Sequence, residues 1–139
     1  TVTTLTRLSQ DYFISGSNDG SVIIWNIFEG KIHSIFNRHK FAVLCLLRLT
    51  DKLFISGSYD TTIKIYDTEK DLCIGSLDKH KFGVTTLEKV GANAFCSGSY
   101  KHILVWDAKN FQVLYEIPEE TDTFIFSMRL LTKELLIYG

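Results

Sequence analysis

An all-β fold of repeated four-stranded antiparallel sheets is the class this sequence predicts, on three observations. Strand formers such as Ile, Val, Thr, Phe and Tyr are plentiful, and Pro118 is the one proline, a balance that suits pleated, half-buried segments. Ser15-Gly16-Ser17, Ser56-Gly57-Ser58 and Ser97-Gly98-Ser99 recur at steps of 41 residues. No segment keeps the i, i+3, i+4, i+7 apolar spacing of a helix long enough to compete with strand alternation.

The elements of one unit follow in order. The first strand carries Val2 and Leu5, matched by Val43 and Leu46, then Val84 and Leu87, then Ile125 and Met128. The second strand approaches the Ser-Gly-Ser step through Tyr12-Phe13-Ile14, Leu53-Phe54-Ile55 and Ala94-Phe95-Cys96. The third alternates, with Ile63 and Ile65 on one face and Lys64 and Tyr66 on the other, a period of two. Trp25, Tyr66 and Trp106 end these third strands, the last one place early because its turn lacks a residue. In the second unit the four runs are Phe41–Leu49, Lys52–Ser58, Thr62–Asp67 and Asp71–Leu77. Their short joints make consecutive strands antiparallel neighbours, a meander.

The units span approximately 1–38, 39–79 and 80–119, with a partial unit over 120–139, about 3.4 in all. One such meander buries little alone, so neighbours must stack face to face. Four strands in a period of about 40 residues mark β-propeller blades set around a channel. Propellers typically use four to eight blades, so these blades form an incomplete ring with open apolar faces and strand edges. The expectation is a piece of a longer propeller, completed by remaining blades of the same protein or by other copies of the chain.

Composition narrows the function. Fifteen basic and sixteen acidic residues leave a net charge of −1, which gives no electrostatic case for a nucleic-acid partner. The longest apolar run, Phe41–Leu47, is far short of the ~18 residues of a membrane span, so no membrane is expected as a partner. Cys45, Cys73 and Cys96 sit in apolar strand contexts, as packing residues in a reducing setting. An intracellular location, cytoplasmic before nuclear, follows as an expectation. His33 and His102 are isolated and read as structural or surface residues, with no metal site. His39, Asp60 and Ser56 have the residue types of a nucleophilic triad, but they recur at a repeated structural position without an oxyanion-hole glycine motif. No catalytic residue and no cofactor are expected, and the chain is read as not an enzyme.

The segments SGSNDGSVIIWNI, SGSYDTTIKIYDT and SGSYKHILVWDA, with His39 and His80 upstream, resemble WD repeats across essentially the whole chain. The resemblance implies a buried polar set in each blade: a His before strand one, an Asp in the turn after strand two, a Ser in strand two and a Trp in strand three. Carried over, this gives Ser15, Asp19 and Trp25 in the first blade and His39, Ser56, Asp60 and Tyr66 in the second. The phenol of Tyr66 lies elsewhere than an indole N–H, which weakens the last link. The third blade supplies His80, Ser97 and Trp106, but Lys101 and a deletion stand where the Asp belongs, and the fourth has Thr121 and Tyr138 for His and Ser. The third and fourth blades are therefore expected to be held mainly by apolar packing.

The resemblance also implies a binding face made by the His loops and Asp turns. Its positions map to Asn18, Tyr59 and Tyr100 in the turns, and to Thr1, Thr3, Ala42, Leu44, Gly83, Thr85, Phe124 and Phe126 entering strand one. Tyr59, Tyr100, Phe124 and Phe126 are the aromatic candidates for a partner surface. The basic loops around Lys40 and Lys81 suit an acidic or phosphorylated peptide. The expected function is a non-catalytic scaffold that binds partner proteins or peptides. The alternative is the substrate-recognition part of a larger ubiquitin ligase or other enzyme-linked assembly, a weaker resemblance carried by the shortened third turn.

Overall fold

The computed structural model describes residues 1–118, 122–132 and 135–139. The first sheet runs in the order β1 (Val2–Arg7), β2 (Tyr12–Ser17), β3 (Ser21–Asn26), β4 (Lys31–Asn37). The second holds β5 (Val43–Arg48), β6 (Leu53–Ser58), β7 (Ile63–Asp67) and β8 (Leu72–Leu77). The third holds β9 (Thr86–Lys89), β10 (Ala94–Gly98), β11 (His102–Asp107) and β12 (Val113–Pro118). A two-stranded sheet pairs β13 (Met128–Thr132) with β14 (Leu135–Tyr138). Every pairing is antiparallel between consecutive strands, which is the meander expected of tight joints.

The turns repeat as faithfully as the strands. At the end of each third strand an Asn or Asp folds back on its own turn. Asn26 Oδ1 accepts from the N–H groups of Phe28 and Glu29, Asp67 Oδ1 from Glu69 and Lys70, and Asp107 Oδ1 from Lys109 and Asn110. These short side chains offer the turn a local acceptor that a strand former lacks. Each turn then passes through a left-handed residue, Gly30, Asp71 or Phe111.

The joint between strands two and three also has a left-handed position, held by Gly20 (φ 87°), Thr61 (φ 71°) and Lys101 (φ 65°). This corrects the sequence alignment. Lys101 is the counterpart of Thr61, not of Asp60, and His102 falls where the second blade has Thr62, one residue before the buried isoleucine that opens strand three. The residue deleted from the third turn is the aspartate itself.

The core lies between sheets. Val22, Ile24 and Phe36 of the first meet Val43, Leu46, Phe54 and Tyr66 of the second. Ile55, Ile63 and Ile65 meet Val84, Leu87, Phe95 and Trp106, and Cys96, Ile103 and Val105 meet Ile125 and Met128. Burying each such side chain contributes about 1.5–3 kcal/mol, so each blade depends on its neighbour. The glycine of each Ser-Gly-Ser step makes this approach possible. A Cβ at Gly57 would lie 2.6 Å from both Cys45 Sγ and Val84 Cγ1, and one at Gly16 2.6 Å from Val43 Cγ1. At Gly98 it would lie 2.6 Å from Thr86 Cγ2 and 3.1 Å from Ile125 Cγ2. Strand one of the next blade rests where the side chain would be.

Backbone bonds reinforce these seats. Val84 N–H donates to Ser58 O at 2.9 Å and Ile125 N–H to Ser99 O at 3.1 Å. The Thr85 hydroxyl lies 3.1 Å from Gly98 O and 2.5 Å from Ile125 O. Thr3 makes the matching contacts with Gly16 O and Val43 O.

Candidate functional site: buried polar relays beneath an aromatic face

In the second blade, His39 Nδ1 lies 2.9 Å from Asp60 Oδ2, and His39 Nε2 lies 2.6 Å from Ser56 Oγ. Asp60 also accepts from Lys40 N–H at 2.9 Å, Thr62 N–H at 3.0 Å and the Thr62 hydroxyl at 2.7 Å. The β6–β7 pairing brings the Tyr66 hydroxyl to 3.3 Å from Ser56 Oγ. The link that tyrosine was expected to weaken is present but long. The Trp25 and Trp106 indoles reach their serines at 2.8 and 2.7 Å. Tyr66 is fully buried and stacks on Phe54 with ring centroids 4.6 Å apart.

The first blade joins Trp25 Nε1–H to Ser15 Oγ, while Asp19 Oδ1 accepts from Ser21 N–H at 2.9 Å. In the third, Trp106 Nε1–H donates to Ser97 Oγ and His80 Nε2 lies 2.5 Å from the same oxygen. His80 Nδ1 is then met by His102 Nε2 at 3.1 Å, with the two rings stacked at a 5.0 Å centroid separation. The third blade is therefore not held by apolar packing alone. His102, read from the sequence as an isolated residue, occupies the role the aspartate has in the second blade. In the fourth unit, Thr121 lies outside the described residues and Tyr138 is exposed.

Both upstream histidines are held neutral. Burial pushes the His39 imidazole below its ordinary value, against the opposing bond to Asp60. Burial first, and His102 second, push His80 down to about 3. For Asp60, burial would raise the carboxyl, but hydrogen bonds from Thr62, Lys40 and His39 outweigh it and hold it at about 2.

The sign of the pH dependence follows. Below its ordinary value of 6.5, a histidine binds a proton in the unfolded chain that His80 refuses in the folded one. Stability is then fully present above pH ~6.5 and falls with acid toward pH ~3, by about 1.4 kcal/mol per pH unit for one proton. The expected outcome is a urea midpoint that drops steadily over this window in the wild-type chain. His80→Gln should flatten the slope by about one proton, and an unchanged slope would refute the assignment.

Above these relays lies a face of aromatic rings. Phe41 and Tyr59 meet edge to face at 6.4 Å. Phe82, Tyr100, Phe124 and Phe126 continue as a row with successive centroids 4.9, 5.1 and 5.9 Å apart. Tyr59 and Phe126 are 60% and 70% exposed. Tyr100 and Phe124 are half-buried and joined by an antiparallel backbone bridge. Lys40 and Lys81 are exposed beside this face, and Asn18 is exposed on the first blade's turn. Leu44 is half-buried in β5, and the Thr85 hydroxyl is committed to backbone carbonyls between blades.

Phe41 and Phe82 were missed as face residues. Their signal was available: each follows a His-Lys pair, and they stand 41 residues apart. Among the described residues no cluster of His, Cys, Asp and Glu is suited to a metal ion. No helix among them is long and apolar enough to cross a membrane.

Comparison with known proteins agrees with this geometry. Residues 2–26 and 30–67 match the family model described as WD domain, G-beta repeat. No curated protein sequence matches the chain. Among solved structures, that of U3-55K superposes with a TM-score of 0.89 at 20% identity, over 99% of this chain and 45% of its own. The crystal structure of the RRP9 WD40 repeats gives 0.89 at 20% identity, over 99% and 44%. The chain thus spans less than half the length of either structure, and at this identity the likeness concerns the fold.

Proposed function

Starting from a chain that is a run of WD-repeat propeller blades, we propose that it is a non-catalytic platform that holds partner proteins or peptides on the face made by its His loops and turns. The observation that supports this reading is the aromatic row from Phe82 to Phe126, with Phe41 and Tyr59 beside it. Rings exposed on a rigid scaffold lose little conformational freedom on binding and dominate interface energetics. Beneath them, His39, Ser56 and Asp60 spend their polar atoms on one another and on the fold, which is structural work and not nucleophile activation. Proteins or peptides suit this face better than nucleic acid, given the near-neutral net charge. An intracellular, cytoplasmic setting belongs to the same reading and is supported by three free thiols, of which Cys45 and Cys96 are buried.

The test compares proteins recovered by proximity labelling with the wild-type chain and with a Tyr59→Ala/Phe126→Ala variant. Both side chains are largely exposed, so the thermal midpoint should stay within about 2 °C of wild type, as for surface changes of ±0.5 kcal/mol. Recovery of specific partners should fall at least tenfold. An unchanged partner set on the correctly folded variant would move the binding face elsewhere.

A further inference from the structure

The third blade differs from the second in one chemical respect that its shape preserves: the buried histidine is held by an imidazole instead of a carboxylate. The hydrogens in this relay are fixed by elimination. Indole N–H is a donor only, so Ser97 Oγ accepts from Trp106 and has its own hydrogen to place. Ser97 is fully buried, and the remaining partner of its side chain is His80 Nε2, which therefore accepts. A neutral His80 then carries its hydrogen on Nδ1 and donates it to His102 Nε2. His102 in turn must carry its own hydrogen on Nδ1, an atom with no hydrogen-bond partner among the described residues.

His102 lines a cavity of about 510 Å³. Lys79 and Lys81 stand at its edge, both exposed, and neither forms an ion pair with a described residue. Lys101 also lines it but is paired with Asp122, and among the described residues Glu116 is the one carboxylate in the wall. Phe82 and Tyr100 form an aromatic side, while Leu104 and Val113 supply apolar surface. A second cavity of about 240 Å³ shares Lys79 and Val113 and continues between β8 and β12. In the second blade the Asp60 carboxylate meets His39 Nδ1 and Lys40 N–H and supplies a negative charge there. Deleting that aspartate takes its carboxylate out of the third blade and puts His102 in the cavity wall in its place.

We infer that this groove between the second and third blades binds a phosphomonoester on a partner peptide, with the phosphate held by Lys79, Lys81 and the His102 Nδ1–H and a neighbouring apolar side chain resting on Leu104 and Val113. The inference rests on the peptide-binding role proposed above; the groove borders the aromatic row, sharing Phe82 and Tyr100 with it, but Tyr59 and Phe126 do not line it. A phosphate carries more charge and more acceptor oxygens than a carboxylate, matching two ammonium groups and a fixed imidazole donor better than a single Glu side chain does.

The full chain is titrated with the blocked tripeptides Leu-phosphoSer-Leu, Leu-Ser-Leu and Leu-Glu-Leu and with inorganic phosphate, following side-chain NMR signals of His80, His102 and Val113. The phosphorylated peptide should bind saturably and at least tenfold more tightly than the other three probes. Lys79→Glu/Lys81→Glu should weaken it at least tenfold. His102→Asp restores the carboxylate of the second blade, so it should keep the His80 relay and the thermal midpoint while abolishing phosphopeptide binding. Equal affinity for the Ser and phosphoSer peptides, or for the Glu and phosphoSer peptides, would overturn the inference. So would phosphopeptide binding that survives the lysine reversals. Tyr59→Ala/Phe126→Ala should leave this titration unchanged, so loss of the aromatic face and loss of the groove are read separately.

Discussion

Asp60→Ala is expected to cost about 3 kcal/mol, a loss concentrated in the second blade. The carboxylate satisfies His39 Nδ1, Lys40 N–H, Thr62 N–H and the Thr62 hydroxyl together, and its side chain is 6% exposed. Removing it leaves several buried donors without a partner, and each orphaned group costs about 1–3 kcal/mol when water cannot replace the bond. The sum is below the simple total because Lys40 lies at the surface and can recruit solvent. Urea unfolding gives the global value, and amide hydrogen exchange locates it. Protection should fall most along β6 and β7, with β2 and β3 least affected. A loss below about 1 kcal/mol would mean that stacking of Tyr66 on Phe54 and the apolar contacts of β6 fix the blade without the polar set.

Gly57→Ala is expected to destabilise by about 2–3 kcal/mol, as overpacking of a close-packed core does. The added methyl would meet Cys45 Sγ and Val84 Cγ1, each at 2.6 Å, and neither is the loose end of a long side chain. Val84 is fully buried between the second and third blades, so relief requires the blades to part. Gly75→Ala in β8 is the matched control. Its nearest neighbour is Ile65 Cδ1 at 3.1 Å, the terminal methyl of a side chain and farther off than the contacts at Gly57, and its backbone is not left-handed. That change should be neutral or stabilising by up to about 0.5 kcal/mol, since alanine loses less backbone freedom on folding. Equal costs at the two positions would show that strand glycine entropy, and not the seat for the next blade, explains the Ser-Gly-Ser step.

Much of the fold was legible because repetition averages out local ambiguity. One strand such as Leu53–Ser58 is a short apolar run, yet three copies in register fix its ends within a residue or two. The blade interior was legible as far as identity follows position, as with Ser56, Asp60 and His39. It failed where position and role separate. The shortened third turn allowed two alignments, and residue spacing does not decide between deletion of the aspartate and deletion of its neighbour. The left-handed φ of Lys101, shared with Gly20 and Thr61, decides it. That placement exposes His102 as the partner of His80. Tyr66 illustrates a second limit, because whether a phenol reaches a serine depends on ring placement and on no property of the residue type. The face was half legible: Tyr59 and Tyr100 were identified in the turns, whereas Phe41 was counted into the strand it precedes and its counterpart Phe82 was not singled out.

The glycine seats set a clock for assembly. Gly16 to Val43, Gly57 to Val84 and Gly98 to Ile125 each span 27 residues, so every new blade closes the same length of chain onto the one before it. The configurational cost of that closure is about 3 kcal/mol plus a constant, identical at each step, and it does not grow as the chain lengthens. At ~5–20 residues per second, the ribosome supplies the next docking strand roughly every 2–8 s, one 41-residue repeat at a time. Each finished blade therefore waits seconds, and no longer, with its glycine uncovered, and the propeller can be laid down vectorially from its amino-terminal side.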